Sequence, residues 1–333
     1  MRIERSVTSV SWIPSESIPG FMKLAFKARV SHYDQPPPAV LEDLDALRRA
    51  DRFRFANELR AWIEVGEDGQ ITDFGYSGRG HMGSTTMRLG PTSVTFAGIA
   101  RPDLQSPPEI GPNWVRFVQT AGGRTGAPAP QPVLRPPFIT PVLPDVWTTL
   151  ALVIRSEGTC EHEVVGASPF PRHWIYDENG RLVKKVSVAS FRGWVNSVSG
   201  RRNPWRGKDA QPLVSEAESE LERLLSGQLM QGDRAVRHLR AGEHLVTEGD
   251  SDREIYLVLD GLLEVEVGGR VVGRVGPGAI VGERSHLHGR RTATLRAVTP
   301  CRVAESQPER FHPDHMQQLA ASHRAEEKGT EAE

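Results

Sequence analysis

Gly276-Pro-Gly-Ala-Ile-Val-Gly-Glu283-Arg-Ser-His-Leu-His-Gly-Arg-Arg291-Thr-Ala-Thr294 is the stretch on which the reading of this chain turns. Its glycines and proline make it a segment that bends, and its charges are concentrated on either side of one short turn. Glu283 supplies a carboxylate and Arg291 a guanidinium. Each is costly to bury alone, so the two need each other or a ligand. A guanidinium with successive backbone N–H groups from a helical turn or nest suits a phosphate anion. A buried carboxylate suits a hydroxyl donor.

Outward from this cassette the sequence is dense in strand patterns. Strands are expected at 244–247, 255–259, 262–267, 270–275, 292–297 and 301–304, separated by Gly249-Asp250, Asp260-Gly261, Gly268-Gly269 and Pro277-Gly278. Short strands this close together imply a β-roll or a jelly-roll-like sandwich. Ahead of them, Ser215-Glu-Ala-Glu218 reads as a capping box, with Ser215 as N-cap of a helix that places Leu213, Ala217, Leu221, Leu224 and Leu225 on one face. Behind them, 312–333 reads as one helix, from Asp314 to about Ala325, and a charged tail.

A cyclic nucleotide has one phosphodiester anion, a free ribose 2′-hydroxyl and a flat base, and Thr292 adds a hydroxyl for the phosphate or the base. The run RAGEHLVTEGDSDREIYLVLDGLLEVEV (240–267), followed by the cassette, resembles the cyclic-nucleotide-binding domain of the catabolite activator protein and protein kinase A regulatory subunit type. The matching positions are Gly242-Glu243, Gly249-Asp250, the strand and turn from Tyr256 to Gly261, Gly278, Gly282-Glu283 and Arg291-Thr292-Ala293. The resemblance implies that Glu283 holds the ribose 2′-hydroxyl and Arg291 the phosphate, with backbone from Gly282, Arg284 and Ser285 around it. It also implies cAMP or cGMP as ligand. Two departures stand out. Arg284 occupies a position that is usually Leu or Met, and the spacing from Glu283 is a residue or two short, which leaves Arg290 as an alternative phosphate ligand.

The first two thirds of the chain differ in composition. All seven tryptophans precede residue 206. Strands are expected at 3–12, 59–65, 71–76, 84–89, 93–99, 115–119, 148–154, 173–176 and 182–188, with helical spacing at 18–30 and again around Val40, Leu44 and Leu47. Tight turns between short strands argue for an antiparallel meander. The Gly/Pro-rich stretch 121–145 is expected as a long irregular loop that cannot be a central strand. The order of elements resembles the helix-grip architecture of START-like ligand-binding proteins, with a β-barrel or sandwich as the alternative. That resemblance implies an apolar small molecule as a partner of this domain.

The expected organisation is therefore α+β: an N-terminal antiparallel meander with helices (1–205), a linker (206–212), a β-roll with flanking helices (213–311), and a helix with tail (312–333). At 333 residues two domains are the natural division. A net charge of −1 offers no global field to nucleic acid or anionic lipid, and no apolar run approaches a membrane span. With Cys160 and Cys301 far apart, the expectation is a cytoplasmic protein with free thiols, possible self-association, no nucleic-acid or membrane partner and no metal.

Three tempting motifs carry blander readings. Gly78-Arg-Gly80-His-Met-Gly83 is a literal G-x-G-x-x-G, but no helix starts after it, so it reads as a glycine-rich turn between strands. Cys160-Glu-His162-Glu163 concentrates metal-type groups, yet zinc needs three or four ligands and no second cluster exists, so it reads as a solvated turn. His286 and His288 read as surface residues. No nucleophile elbow or kinase signature is present. The leading expectation is a cyclic-nucleotide sensor whose ligand modulates the N-terminal domain. The alternatives are a gated hydrolase, cyclase or lipid-binding domain, and a degenerate nucleotide domain used for protein docking.

Overall fold

The computed structural model describes residues 1–13, 36–89, 92–124, 129–132, 139–142, 145–169, 171–186, 204–207, 209, 212–217, 221–222, 225, 235–308 and 311–330. The chain divides into two compact units, Met1–Pro212 and Leu213–Glu333. Among the described residues it is rich in sheet and poor in helix.

In the first unit, Arg2–Trp12 pairs antiparallel with Phe55–Val65 on one side and Arg172–Tyr176 on the other. Leu182–Val186 extends the sheet beyond Arg172–Tyr176, and Ile71–Tyr76 extends it beyond Phe55–Val65. A second sheet is built on Trp114–Arg124 and Asp145–Arg155, paired along their length, with Cys160–Ala167 beside the latter. The solvated turn expected at 160–163 is thereby corrected, since those residues pair with 151–154. Strand alternation sends one set of side chains from each sheet inward. The meeting layer holds apolar Val7, Leu59, Ile63, Phe117 and Leu152, all fully buried, and a polar seam. The Oγ of Ser9 lies 2.6 Å from the Thr148 hydroxyl. The Asn57 amide donates to Gln119 O (3.1 Å) and Thr148 O (2.9 Å), and Gln119 donates back to Asn57 Oδ1 (2.8 Å). Polar groups in this core thus partner one another, as burial demands.

Among the described residues, what faces the first sheet is a second sheet, and the unit's one α-helix is short, Leu44–Arg49. The START-like helix-grip expectation is not seen there. The helix expected at 18–30 lies outside the described residues. Leu44–Arg49 starts where the local signal is strongest: Asp43 caps it, accepting the Ala46 N–H at 2.9 Å.

The loop expected over 121–145 is corrected in its described parts; 125–128, 133–138 and 143–144 lie outside the described residues. Ala121 to Arg124 close the Trp114–Arg124 strand, which lies inside its sheet, and Ala129–Pro132 pairs with Ile139–Val142. Gly122 and Gly123 belong there because a Cβ on either would stand 2.0 Å from Val146 O or 2.1 Å from Ile99 O. Pro130, Pro132 and Pro141 fall in this two-stranded ladder, where a missing donor is tolerated. The Gly78–Gly83 motif spans the strand Arg79–Met82, not a turn. Its glycines permit close approach, since a Cβ at Gly78 or Gly83 would meet Glu58 O or Phe53 O at about 2 Å.

The second unit is a β-roll of two antiparallel four-stranded sheets. One has the order Val236–Leu239, Cys301–Ser306, Ile255–Asp260, Ile280–Val281; the other runs His244–Val246, Thr294–Ala297, Leu263–Val267, Arg270–Val275. Tyr256, Val258, Leu263, Val281, Leu295 and Val303 fill the roll. The opposite face of Ile255–Asp260 presents Ile255 and Leu257 to Met316 and Leu319 of the helix Pro313–Thr330, with Leu225 and Phe311 alongside. The helix expected from Ser215 is corrected: Val214–Glu216 is a strand, with Ser215 buried in it. Ser215 lies in the middle of that strand and so caps no helix, whereas Leu221, Glu222 and Leu225 are helical.

Candidate functional site

The cassette leaves the strand Ile280–Val281, turns at Gly282 and forms a short helix, Glu283–His288, ended by Gly289. Gly282 has φ +96° and Gly289 φ +75°, left-handed conformations that favour glycine. Gly282 also lies close under Arg291: a Cβ there would stand 2.5 Å from Arg291 Nη1 and 2.7 Å from Glu254 O.

Glu283 and Arg291 are both almost completely buried, at 3% and 4% exposure, whereas Arg290 is exposed. Ser285 is buried at the same place, and its hydroxyl donates to Gly282 O (2.8 Å) while accepting from Arg291 Nη1 (3.1 Å). Arg284 is half-buried, its Nε 3.9 Å from Glu283 Oε1. Thr292 and Ala293 are half-buried and lead into the strand Thr294–Ala297. The structure therefore brings Gly282, Ser285 and Arg291 into contact, with Glu283 buried next to Gly282 in the chain, and leaves Arg290 exposed. His286 and His288 are on the cassette helix, and their side chains lie outside the described set.

The backbone locks Arg291 to the preceding turn. Its N–H donates to Asp250 O (2.8 Å), and its carbonyl accepts from Gly249 N (2.9 Å). The guanidinium is then surrounded. Nε and Nη2 donate to the two oxygens of Asp252 (2.9 and 2.5 Å), Nη2 also to Glu254 O (2.9 Å), and Nη1 to Gly282 O (3.3 Å) and Ser285 Oγ. A guanidinium has five N–H donors, and each has a protein acceptor. The Tyr256 ring centre lies 5.4 Å from the guanidinium carbon, and burial raises the phenol above its usual range. Hydrogen bonds from Arg291 hold the Asp252 carboxyl below the usual carboxylate range.

Asp252 is the residue that sequence reading missed. It lies 39 positions before Arg291, in a stretch read only as the turn Gly249-Asp250. The acidic run Asp250-Ser-Asp252-Arg-Glu254 was the available signal. Among the described residues no group of three or more His, Cys, Asp or Glu side chains is arranged to hold a metal ion. Nor is any described helix long and apolar enough to cross a membrane.

Residues 236–313 match the family model of the cyclic nucleotide-binding domain. No curated protein matches the chain. Solved structures with similarity include the N-terminal domain of a transcriptional regulator from Streptomyces coelicolor A3(2) (20% identity, 33% of this chain and 86% of that one, TM-score 0.25). A regulatory subunit of a cAMP-independent protein kinase A from Trypanosoma cruzi, bound to guanosine, is similar at 20% identity over 27% of this chain and 34% of that one (TM-score 0.23). The c-di-GMP responsive regulator CLP from Xanthomonas campestris is similar at 24% identity over 28% and 46% (TM-score 0.22). The chain thus spans less than half the length of the latter two. The family match lies in the C-terminal part of the chain.

Proposed function

We propose that the second unit binds a cyclic nucleotide, cAMP or cGMP, at the corner formed by Gly282, Glu283, Ser285 and Arg291, and that its ligand state regulates the first unit. The observation that carries the reading is the joint burial of Glu283 and Arg291 within one short cassette. A buried carboxylate and a buried guanidinium this close in the chain supply the two charged groups that charge-assisted hydrogen bonds to a hydroxyl and a phosphate require. In this assignment Glu283 accepts the ribose 2′-hydroxyl and Arg291 faces the phosphate. The sugar-phosphate is recognised by charge-assisted hydrogen bonds, and the choice of base is made elsewhere in the roll. Arg290, being exposed, is the weaker phosphate candidate.

Thermal melts of the full chain with cAMP and with cGMP test this. A ligand present at a hundred times its dissociation constant adds about 2.7 kcal/mol to the unit it binds. The expected result is a shift that Glu283→Ala abolishes while the ligand-free melt still shows a cooperative transition. A shift that survives both Glu283→Ala and Arg291→Ala would remove the assignment.

A second reading has one observation in its favour. Every Arg291 N–H donor is already bonded within the chain, which suits a roll that keeps its fold without a ligand and serves as a docking module. The absence of any shift with either nucleotide would select it.

A further inference from the structure

We infer that Asp252 is an internal anion that occupies the phosphate-facing edge of Arg291, so that the nucleotide binds by displacing it; the inference rests on the nucleotide reading above. Four acceptor groups surround the guanidinium, and they are not equally movable. Gly282 O and Glu254 O are backbone atoms, and Ser285 is 1% exposed within the cassette. Asp252 alone is a side chain on irregular backbone, residues 251–254, with about a third of its surface in water (35%). It is also the one acceptor placed bidentately, on Nε and Nη2. That fork is the edge a guanidinium offers to a carboxylate or to a phosphate alike.

Replacing a carboxylate by a phosphodiester there conserves charge. The guanidinium stays buried and paired throughout, so the exchange avoids the large penalty of an uncompensated buried cation. Asp252 moves outward into solvent, where its charge is hydrated. The affinity for nucleotide is then a difference between two anions competing for one cation. Glu254, whose carboxylate is 3.9 Å from Nη2, and Arg237, whose charge also favours the ionised form of Asp252, are the other charges at this edge.

The experiment measures cAMP and cGMP binding to the full chain by calorimetry, comparing wild type with Asp252→Asn. Removing the competing charge is expected to tighten binding roughly tenfold, the worth of about one charge-assisted hydrogen bond. If wild type binds but Asp252→Asn binds equally or more weakly, Asp252 positions Arg291 and the displacement idea is wrong, with the nucleotide reading intact. If neither nucleotide binds wild type or variant at millimolar concentration, both readings fall. Should Asp252→Asn fail to fold, the wild-type carboxyl carbon resonance of Asp252 decides. It is expected to move to the position of a solvated carboxylate when the nucleotide is added, and an unmoved resonance under saturating ligand overturns the inference.

Discussion

Gly282 and Arg291 are in such close contact that no side chain fits between them: a Cβ on the glycine would stand 2.5 Å from Arg291 Nη1. The glycine also sits at φ +96°. Two separate costs therefore oppose substitution. The left-handed backbone costs an L-residue about 1–2 kcal/mol, and the clash displaces the guanidinium from its acceptors.

Gly289 provides the control. It too is left-handed, at φ +75°, but nothing lies within 4 Å of a Cβ built on it. Gly289→Ala is expected to lose about 1–2 kcal/mol of stability and keep its response to nucleotide. Gly282→Ala should lose more than that and its nucleotide response as well. Urea denaturation monitored by far-UV circular dichroism, with and without cAMP, checks both; equal losses in the two variants would mean that the close approach to Arg291 is energetically empty.

Glu283 is assigned to a hydroxyl that can be deleted from the ligand instead of from the protein. Wild type is expected to bind 2′-deoxy-cAMP more weakly than cAMP by about 1.5–3 kcal/mol, the range for a hydrogen bond to a charged group. In Glu283→Ala that discrimination should vanish. Competition titrations on the two proteins give the four affinities. Undiminished discrimination in the variant would place the ribose away from Glu283.

How much of this was legible in the sequence depends on how local each signal is. Gly282, Glu283, Ser285 and Arg291 lie within ten positions, and glycines with opposite charges around one turn survive as a pattern whatever the rest of the chain does. Asp252 reaches Arg291 only after the roll closes, and a turn residue far back in the chain carries no mark of its partner. Several strands of the first unit were readable by alternation, Cys160–Ala167 not among them, whereas which sheet faces which is a long-range matter. Ser215 shows the converse error, a local capping pattern overridden where Val214–Glu216 is drawn into a strand. Gly122 and Gly123 misled by composition, because a glycine that makes room for a neighbouring strand looks, in sequence, like a glycine in a loop.

Gly166 is a third such glycine. A Cβ there would lie 2.1 Å from Asp209 Oδ2. Asp209 accepts from the indole N–H of Trp147 (2.8 Å) and from the hydroxyl of Thr149. Trp147 is 1% exposed, so an indole N–H left without an acceptor costs about 1–3 kcal/mol. Gly166→Ala is expected to destabilise the first unit by that amount. In an Asp209→Ala background the same change should cost much less, because the clash has gone. Tryptophan fluorescence follows this unit alone, all seven residues lying at or before position 205. Additive losses would show that Gly166 does not act through Asp209.

His173 sets the acid limit of the first unit. It is fully buried. Nε2 lies 2.9 Å from the carbonyl oxygen of Ser168, which can only accept, so Nε2 carries the proton. Nδ1 then accepts from the Ser11 hydroxyl at 2.7 Å. The neutral ring is satisfied on both sides, and burial lowers its pKa to about 4. An unfolded histidine has a pKa of about 6.5. Between these values the unfolded chain holds a proton that the folded one does not, so stability rises with pH across that window. Above about 6.5 the contribution is fully present. It is lost as pH falls towards 4 and amounts to about 3 kcal/mol, at 1.36 kcal/mol per pKa unit. Urea denaturation followed by tryptophan fluorescence from pH 7 to pH 4 should show a slope of about one proton. His173→Gln, which cannot titrate, should lower stability at pH 7 and remove that slope. A wild-type slope that persists in the variant would assign the acid sensitivity to other groups and leave His173 a purely structural hydrogen-bonding residue.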